Sequence, residues 1–382
     1  MKRWILILFA CGLTAVAQEV RRALPATPEV RPHEVAFFLA GVPLPEGSPL
    51  NALQQTPAYA EHVKALGRLT RHYDQNYFSK MRAWSAAELA PRITMTRPVY
   101  YFFGGPDAVS ALALYPEAPV YILGGLENVG SVPAPQTLTP EAVFEGLANL
   151  RQSVNVVLSY GHFITKDMKN DLDRTAFRGV LPLIYTFVAL TGGEVLHTES
   201  IGIRNDGSLV MTDGATKGVL PGAKVTFRRS PGAAEQVIYY VQANVADDAL
   251  KGSQSAVLVW AGGFGPGNVY LKAASYLLHE GYFSRIRAFL LGKAESVLQD
   301  DSGIPLRFFQ DGKWRLWLFG RYTGTLDIFK EYHQADLAEL FERAGAAELP
   351  FGTGYKWRVG ESNLMLAVRQ RVLRAEPVGP VP

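Results

Sequence analysis

The stretch from Ser255 to Arg307 constrains the fold more than any other. Ser255-Ala-Val-Leu-Val-Trp260 is a short apolar and β-branched run, Ala261-Gly-Gly-Phe-Gly-Pro-Gly267 is a turn, and from Asn268 onward Leu271, Ala274, Leu277 and Leu278 recur at helical spacing. Together they predict strand, turn and helix. The pattern continues through Ile286, Phe289 and Leu290 to a second apolar run that ends at Asp300 and Asp301, with turn residues beyond. A strand, a helix and a further strand in that order make a βαβ unit, which requires a parallel sheet and leaves its carboxyl ends open to ligands.

A second unit of the same order precedes it. Pro98-Val-Tyr-Tyr-Phe-Phe103 reads as a strand, Gly104-Gly-Pro-Asp107 as a turn, residues 108–114 as a short helix and Val120-Tyr-Ile-Leu123 as the next strand, running into Gly124-Gly-Leu-Glu127. Between the units, residues 194–246 place the turns Asn205-Asp-Gly207 and Ser230-Pro-Gly232 among β-rich runs such as Val237-Ile-Tyr-Tyr-Val241, a pattern of antiparallel hairpins. The expected fold class is mixed α/β, a central sheet with two βαβ-like units and an antiparallel β-rich insertion. Residues 35–40, 154–158 and 306–309 read as further strands and 363–368 as the last. Helices are expected to open at Thr56-Pro57, Ser85 and Thr139-Pro140, and another covers 335–344 with Gly345 as its stop. The expected boundaries are a signal peptide at 1–17, a linker at 18–34, an N-terminal half at 35–193, a C-terminal half at 194–376 and a tail at 377–382, with one continuous domain over both halves as the alternative.

The signal peptide rests on Lys2 and Arg3 before an apolar run from Trp4 to Val16, and on the small residues Ala15 and Ala17 before Gln18. Export to the periplasm or the exterior is the expectation; Cys11, after Leu8-Phe-Ala, offers the competing reading of a lipid-anchored chain. No later segment reaches the roughly 20 apolar residues a membrane helix needs. Cys11 is the one cysteine, so a chain cleaved after Ala17 has no disulfide. With 38 basic against 35 acidic residues and no Lys/Arg tract, the charge makes no case for nucleic acid.

Chemistry is expected where strands end. Gly104, Gly105 and Asp107 follow the first strand, Ser159-Tyr-Gly-His162 follows another, Gly263, Gly265 and Gly267 follow a third, and Asp300 and Asp301 a fourth. In a parallel sheet these ends share one edge, so the four segments should converge on one cleft with Asp107, Glu127, His162, Lys272 and Ser275 at its rim. Asp300, Asp301 and His162 are the candidate catalytic groups, since adjacent carboxylates raise each other's pKa; the glycines, Asp107, Glu127, Ser159, Lys272 and Ser275 are candidate ligand contacts. Alternative readings accompany each. The glycine cluster has the form of nucleotide- or S-adenosylmethionine-binding turns, but Pro266 removes a donor and no acid follows at the required distance, which leaves a tight turn. Asp301-Ser-Gly303 matches the D-[ST]-G core of aspartic proteases without a second copy, which leaves a capped turn. His162 follows an apolar run, where a core-edge histidine is the default reading. Trp314, Trp317, Tyr322, Tyr355 and Trp357 offer faces for sugar rings or for sheet packing. The seven histidines fall at no metal-ligand spacing, no G-x-S-x-G is present, and no particular cofactor is implied. These features favour an exported protein that binds a small polar or saccharide ligand, with an exported hydrolase using Asp300 and Asp301 as the alternative and a nucleotide binder third.

Overall fold

The computed structural model describes residues 29–160, 174–213 and 216–370. Its strands, in chain order, are β1 (Val99–Tyr101), β2 (Val120–Gly125), β3 (Glu194–Ile203), β4 (Leu209–Met211), β5 (Leu220–Arg228), β6 (Glu235–Gln242), β7 (Gly267–Leu271), β8 (Ala294–Gln299), β9 (Trp314–Gly320) and β10 (Asn363–Arg369). All belong to one mixed sheet ordered β4-β3-β5-β6-β2-β1-β7-β8-β10-β9. Strands β6, β2, β1, β7 and β8 run parallel to one another, and antiparallel pairing joins β4, β3 and β5 to β6 on one flank and β10 and β9 to β8 on the other.

The principal helices are α1 (Pro32–Ala40), α2 (Pro57–Tyr73), α3 (Ala108–Leu114), α4 (Pro140–Tyr160), α5 (Leu181–Leu190), α6 (Ala256–Gly262), α7 (Ser284–Lys293) and α8 (Ala335–Ala344). They cover both faces of the sheet. Tyr101, Tyr121 and Tyr270 point into one core with α1, α3, α4 and α5, while Tyr100, Ile122 and Val269 point into the other with α6 and α7. Burial on both faces is why β1 is continuously apolar and β7 is apolar from Val269 to Leu271, instead of alternating.

Two βαβ units lie side by side at the centre. The first, β1–α3–β2, follows the expected residues. The second is β7–α7–β8, one element later than the pattern suggested, because residues 257–260 lie in α6 and the expected helix start at Asn268 lies in β7. In α6 the buried residues are Ala256, Val257, Trp260 and Ala261, spaced as one helical face, while Val259 is 60% exposed. Residues 35–40 are also helical, not extended: Pro32 opens α1, the Glu34 carboxylate accepts the Arg31 N–H at 2.8 Å, and Gly41 ends the helix at φ 68°. Residues 154–158 continue α4 with Val154, Val157 and Leu158 turned inward. Residues 306–309 form a 3₁₀ turn after Pro305. Each misread segment is a short apolar run, for which periodicity does not separate a strand from a buried helix.

Because β1 leads through α3 to β2 on one side and β7 leads through α7 to β8 on the other, the sheet changes winding direction between β1 and β7. Doubly wound sheets open a crevice outside the carboxyl ends of the two strands at such a point.

Candidate active or binding site

A cavity of about 140 Å³ occupies that crevice. Four parallel strands deliver its lining from their carboxyl ends: Tyr101 to Gly105 and Asp107 from β1, Gly124 to Glu127 from β2, Ala243 to Val245 from β6, and Lys272 to Ser275 from β7; Leu277 and Phe283 close another side. The turn after β1 is tight. A Cβ at Gly104 would lie 2.5 Å from the Tyr101 ring, and Gly105, at φ 47°, donates its N–H to Gly124 O at 3.1 Å.

Asp107 is the hub. It caps α3, its carboxylate accepting the Ser110 N–H at 3.3 Å, and it also accepts the Tyr101 hydroxyl at 2.8 Å. The Lys272 ammonium meets the same carboxylate at 2.5 Å and donates to Ser110 Oγ at 3.1 Å. The whole group is buried, so neither charge is screened by water. Burial, reinforced by the Asp107 charge, holds the Tyr101 hydroxyl well above its ordinary pKa, which keeps it a donor. Across the cavity, Glu127 is 1% exposed and accepts the Tyr240 hydroxyl at 3.2 Å through its carboxylate and at 2.8 Å through its carbonyl.

Residues 272–276 follow β7 as an unusual loop, with Ala273, Ser275 and Tyr276 at φ of 51°, 53° and 54°. Asp300 and Asp301, at the end of β8, lie against it. Asp300 accepts the Ala273 N–H at 2.9 Å, Ser302 Oγ accepts the Ala274 N–H at 2.8 Å, and Asp301 accepts the Tyr276 hydroxyl at 2.5 Å and Asn363 Nδ2 at 2.9 Å. Burial first, and the Asp301 charge second, push the Asp300 carboxyl up to about 7; burial raises Asp301 as well. Neither carboxylate lines the cavity.

No family model, curated protein or solved structure matches this chain. The reading of the site therefore rests on its own geometry.

Of the candidate residues, the structure brings Gly104, Gly105, Asp107, Glu127, Lys272 and Ser275 together around one cavity. Asp300 and Asp301 share that edge of the sheet but sit beside the loop. Gly263, Gly265 and Gly267 do not converge with them: Gly267 begins β7 next to Pro98, before β1, so the cluster occupies the amino edge, where Gly265 O accepts the Tyr100 hydroxyl at 2.5 Å. The correction follows from β7 coming after the glycines instead of before them. Ser159 falls in the last turn of α4, not at a strand end, and His162 lies outside the described residues. Among the described residues no three His, Cys, Asp or Glu side chains are grouped to hold a metal ion. Tyr101, Tyr240, Asn244 and Phe283 were not singled out by sequence. Tyr101 and Tyr240 carried one available signal, a polar tip on an aromatic residue inside a predicted strand, which when buried requires a partner.

Proposed function

We propose that the chain binds a small polar ligand of the saccharide class in the crevice between the carboxyl ends of β1 and β7. The observation that carries this reading is the Asp107–Lys272 ion pair, buried at the point where the sheet changes direction and lining a cavity large enough for a small ring or several waters. A sugar ring presents hydroxyls at its edge and C–H groups on its face. Asp107, Glu127, Asn244, Lys272 and Ser275 supply charged, amide and hydroxyl hydrogen-bonding groups for the former, and Phe102, Phe103 and Phe283 supply apolar surface for the latter. Export to the periplasm or exterior remains part of the proposal and rests on residues 1–17, outside the described residues. The alternative, an exported hydrolase working through Asp300 and Asp301, has weaker support because both carboxylates accept hydrogen bonds from the loop and its neighbours.

A thermal-shift screen of monosaccharides, polyols and amino acids tests the reading. A ligand that binds the native state raises the melting temperature by mass action, and the rise should vanish in Glu127→Gln and Asn244→Ala, which alter the lining. A rise that survives both changes would place the ligand elsewhere and overturn the assignment.

A further inference from the structure

The loop that closes one side of the cavity is held in a conformation its residues do not favour. Three side-chain-bearing positions, Ala273, Ser275 and Tyr276, adopt the left-handed region, which persists only where the surroundings over-determine it. Three groups do so here. Asp300 grips the Ala273 N–H while its other oxygen accepts the Ser302 N–H at 3.0 Å and hydroxyl at 2.5 Å; Asp301 grips the Tyr276 hydroxyl; and the Tyr355 hydroxyl meets the Ser275 N–H at 3.1 Å and Ala273 O at 3.0 Å. The segment that presents Lys272 and Ser275 to the cavity is thus clasped by two adjacent buried carboxylates.

We infer that Asp300 is a positioning residue that makes the cavity pH-responsive: ionisation of the Asp300/Asp301 pair releases the loop of residues 272–276 and opens the cavity, and protonation closes it. The consequence for a ligand rests on the binding reading above; the loop motion does not.

The surroundings give the direction. Facing Asp300 are Asp301 from its own segment, Tyr101 from β1, Tyr270 from β7, Tyr276 from the loop and Tyr355, none of which is a cation. Around Asp301 stand His279 and Tyr322, and Lys356 is the basic group acting on it. Lys272 is engaged by Asp107 and Ser110. Two neighbouring carboxylates in such a place both ionise only if water reaches them, and the strained loop is the segment bonded directly to both of them. With the closed-state carboxyl pushed up to about 7, the preference for closure is complete below the ordinary value of 3.8 and is lost as pH rises toward 7.

Backbone amide hydrogen exchange of the unliganded full chain tests this without any ligand, so a failure of the saccharide reading cannot be mistaken for a failure of this one. After correction for intrinsic exchange, protection at Ala273, Ala274 and Ser275 should fall by up to about tenfold per pH unit between pH 5 and 7, and the slope should disappear in Asp300→Asn. Tyr355→Phe, which removes a clasp without removing the titrating pair, should lower protection at every pH and keep the slope. Protection independent of pH in the wild type, or an unchanged slope in Asp300→Asn when Tyr355→Phe retains its own, overturns the inference.

Discussion

The Lys272 ammonium stands 2.5 Å from the Asp107 carboxylate with 7% and 3% of the two side chains exposed, joining the residue after β7 to the cap of α3. The pair ties the two βαβ units together at the edge where their strands diverge. A buried ion pair adds little net stability compared with apolar packing, but breaking one leaves the other charge uncompensated.

The pair therefore yields a double-mutant prediction. Asp107→Asn and Lys272→Met should each cost about 3–5 kcal/mol in urea unfolding, and the double variant should cost clearly less than the two losses together. Additive losses would show that the charges are not coupled.

Asp300 yields a pH prediction of definite sign. Its carboxyl sits near 7 in the folded chain against 3.8 ordinarily, so between those values the folded state holds a proton that the unfolded state has released. Its contribution to stability is full below 3.8 and falls as pH rises to about 7, by at most about 1.4 kcal/mol per pH unit. Asp300→Asn should remove that decline, as read from urea midpoints at pH 5, 6 and 7.

His62 works in the opposite sense. It is fully buried, Nε2 bonded to Leu39 O at 3.0 Å and Nδ1 to Arg151 at 3.1 Å, and burial lowers its pKa to about 4. Below 6.5 the unfolded chain takes up a proton the folded one refuses, so this contribution is lost as pH falls from 6.5 to about 4. His62→Gln should flatten the acid side of the profile relative to wild type. The two slopes oppose each other over much of the same range, so the single variants, not the wild type, reveal them.

Two glycines should respond to alanine with opposite sign. A Cβ at Gly267 would collide with the Pro98 carbonyl oxygen and the Tyr100 ring, wedging β7 from β1, whereas a Cβ at Gly292 in α7 meets nothing within 4 Å. Gly267→Ala should destabilise by more than about 2 kcal/mol, as overpacking does; Gly292→Ala should stabilise by up to about 1 kcal/mol, the helix-propensity gain. Thermal unfolding of both separates a required glycine from a tolerated one.

Much of the fold was legible because the signals for it are local. The Thr56 oxygen caps α2 by accepting the Tyr59 N–H, and Gly345 stops α8 in the left-handed region. The hairpin turns at 205–207 and 230–232 likewise lie between antiparallel strands. The apolar runs at 35–40, 154–158 and 257–260 were not decided locally. Their residues suit a strand and a buried helix equally, and packing against the sheet settled each one.

By itself the sequence determined the mixed α/β class, the first βαβ unit, the antiparallel insertion and the polar residues that follow β1 and β2, because caps, turns and strand ends are written within a few positions; the second unit it placed one element too early, with Lys272 and Ser275 in a helix instead of after a strand. Only the tertiary structure decided which strands are neighbours. Placing β7 beside β1 brings Lys272 to Asp107, sends Gly263, Gly265 and Gly267 to the far edge, and sets Asp300 against a strained loop. Such long-range pairing depends on how two apolar faces bury together over the whole chain, and no short segment carries that information.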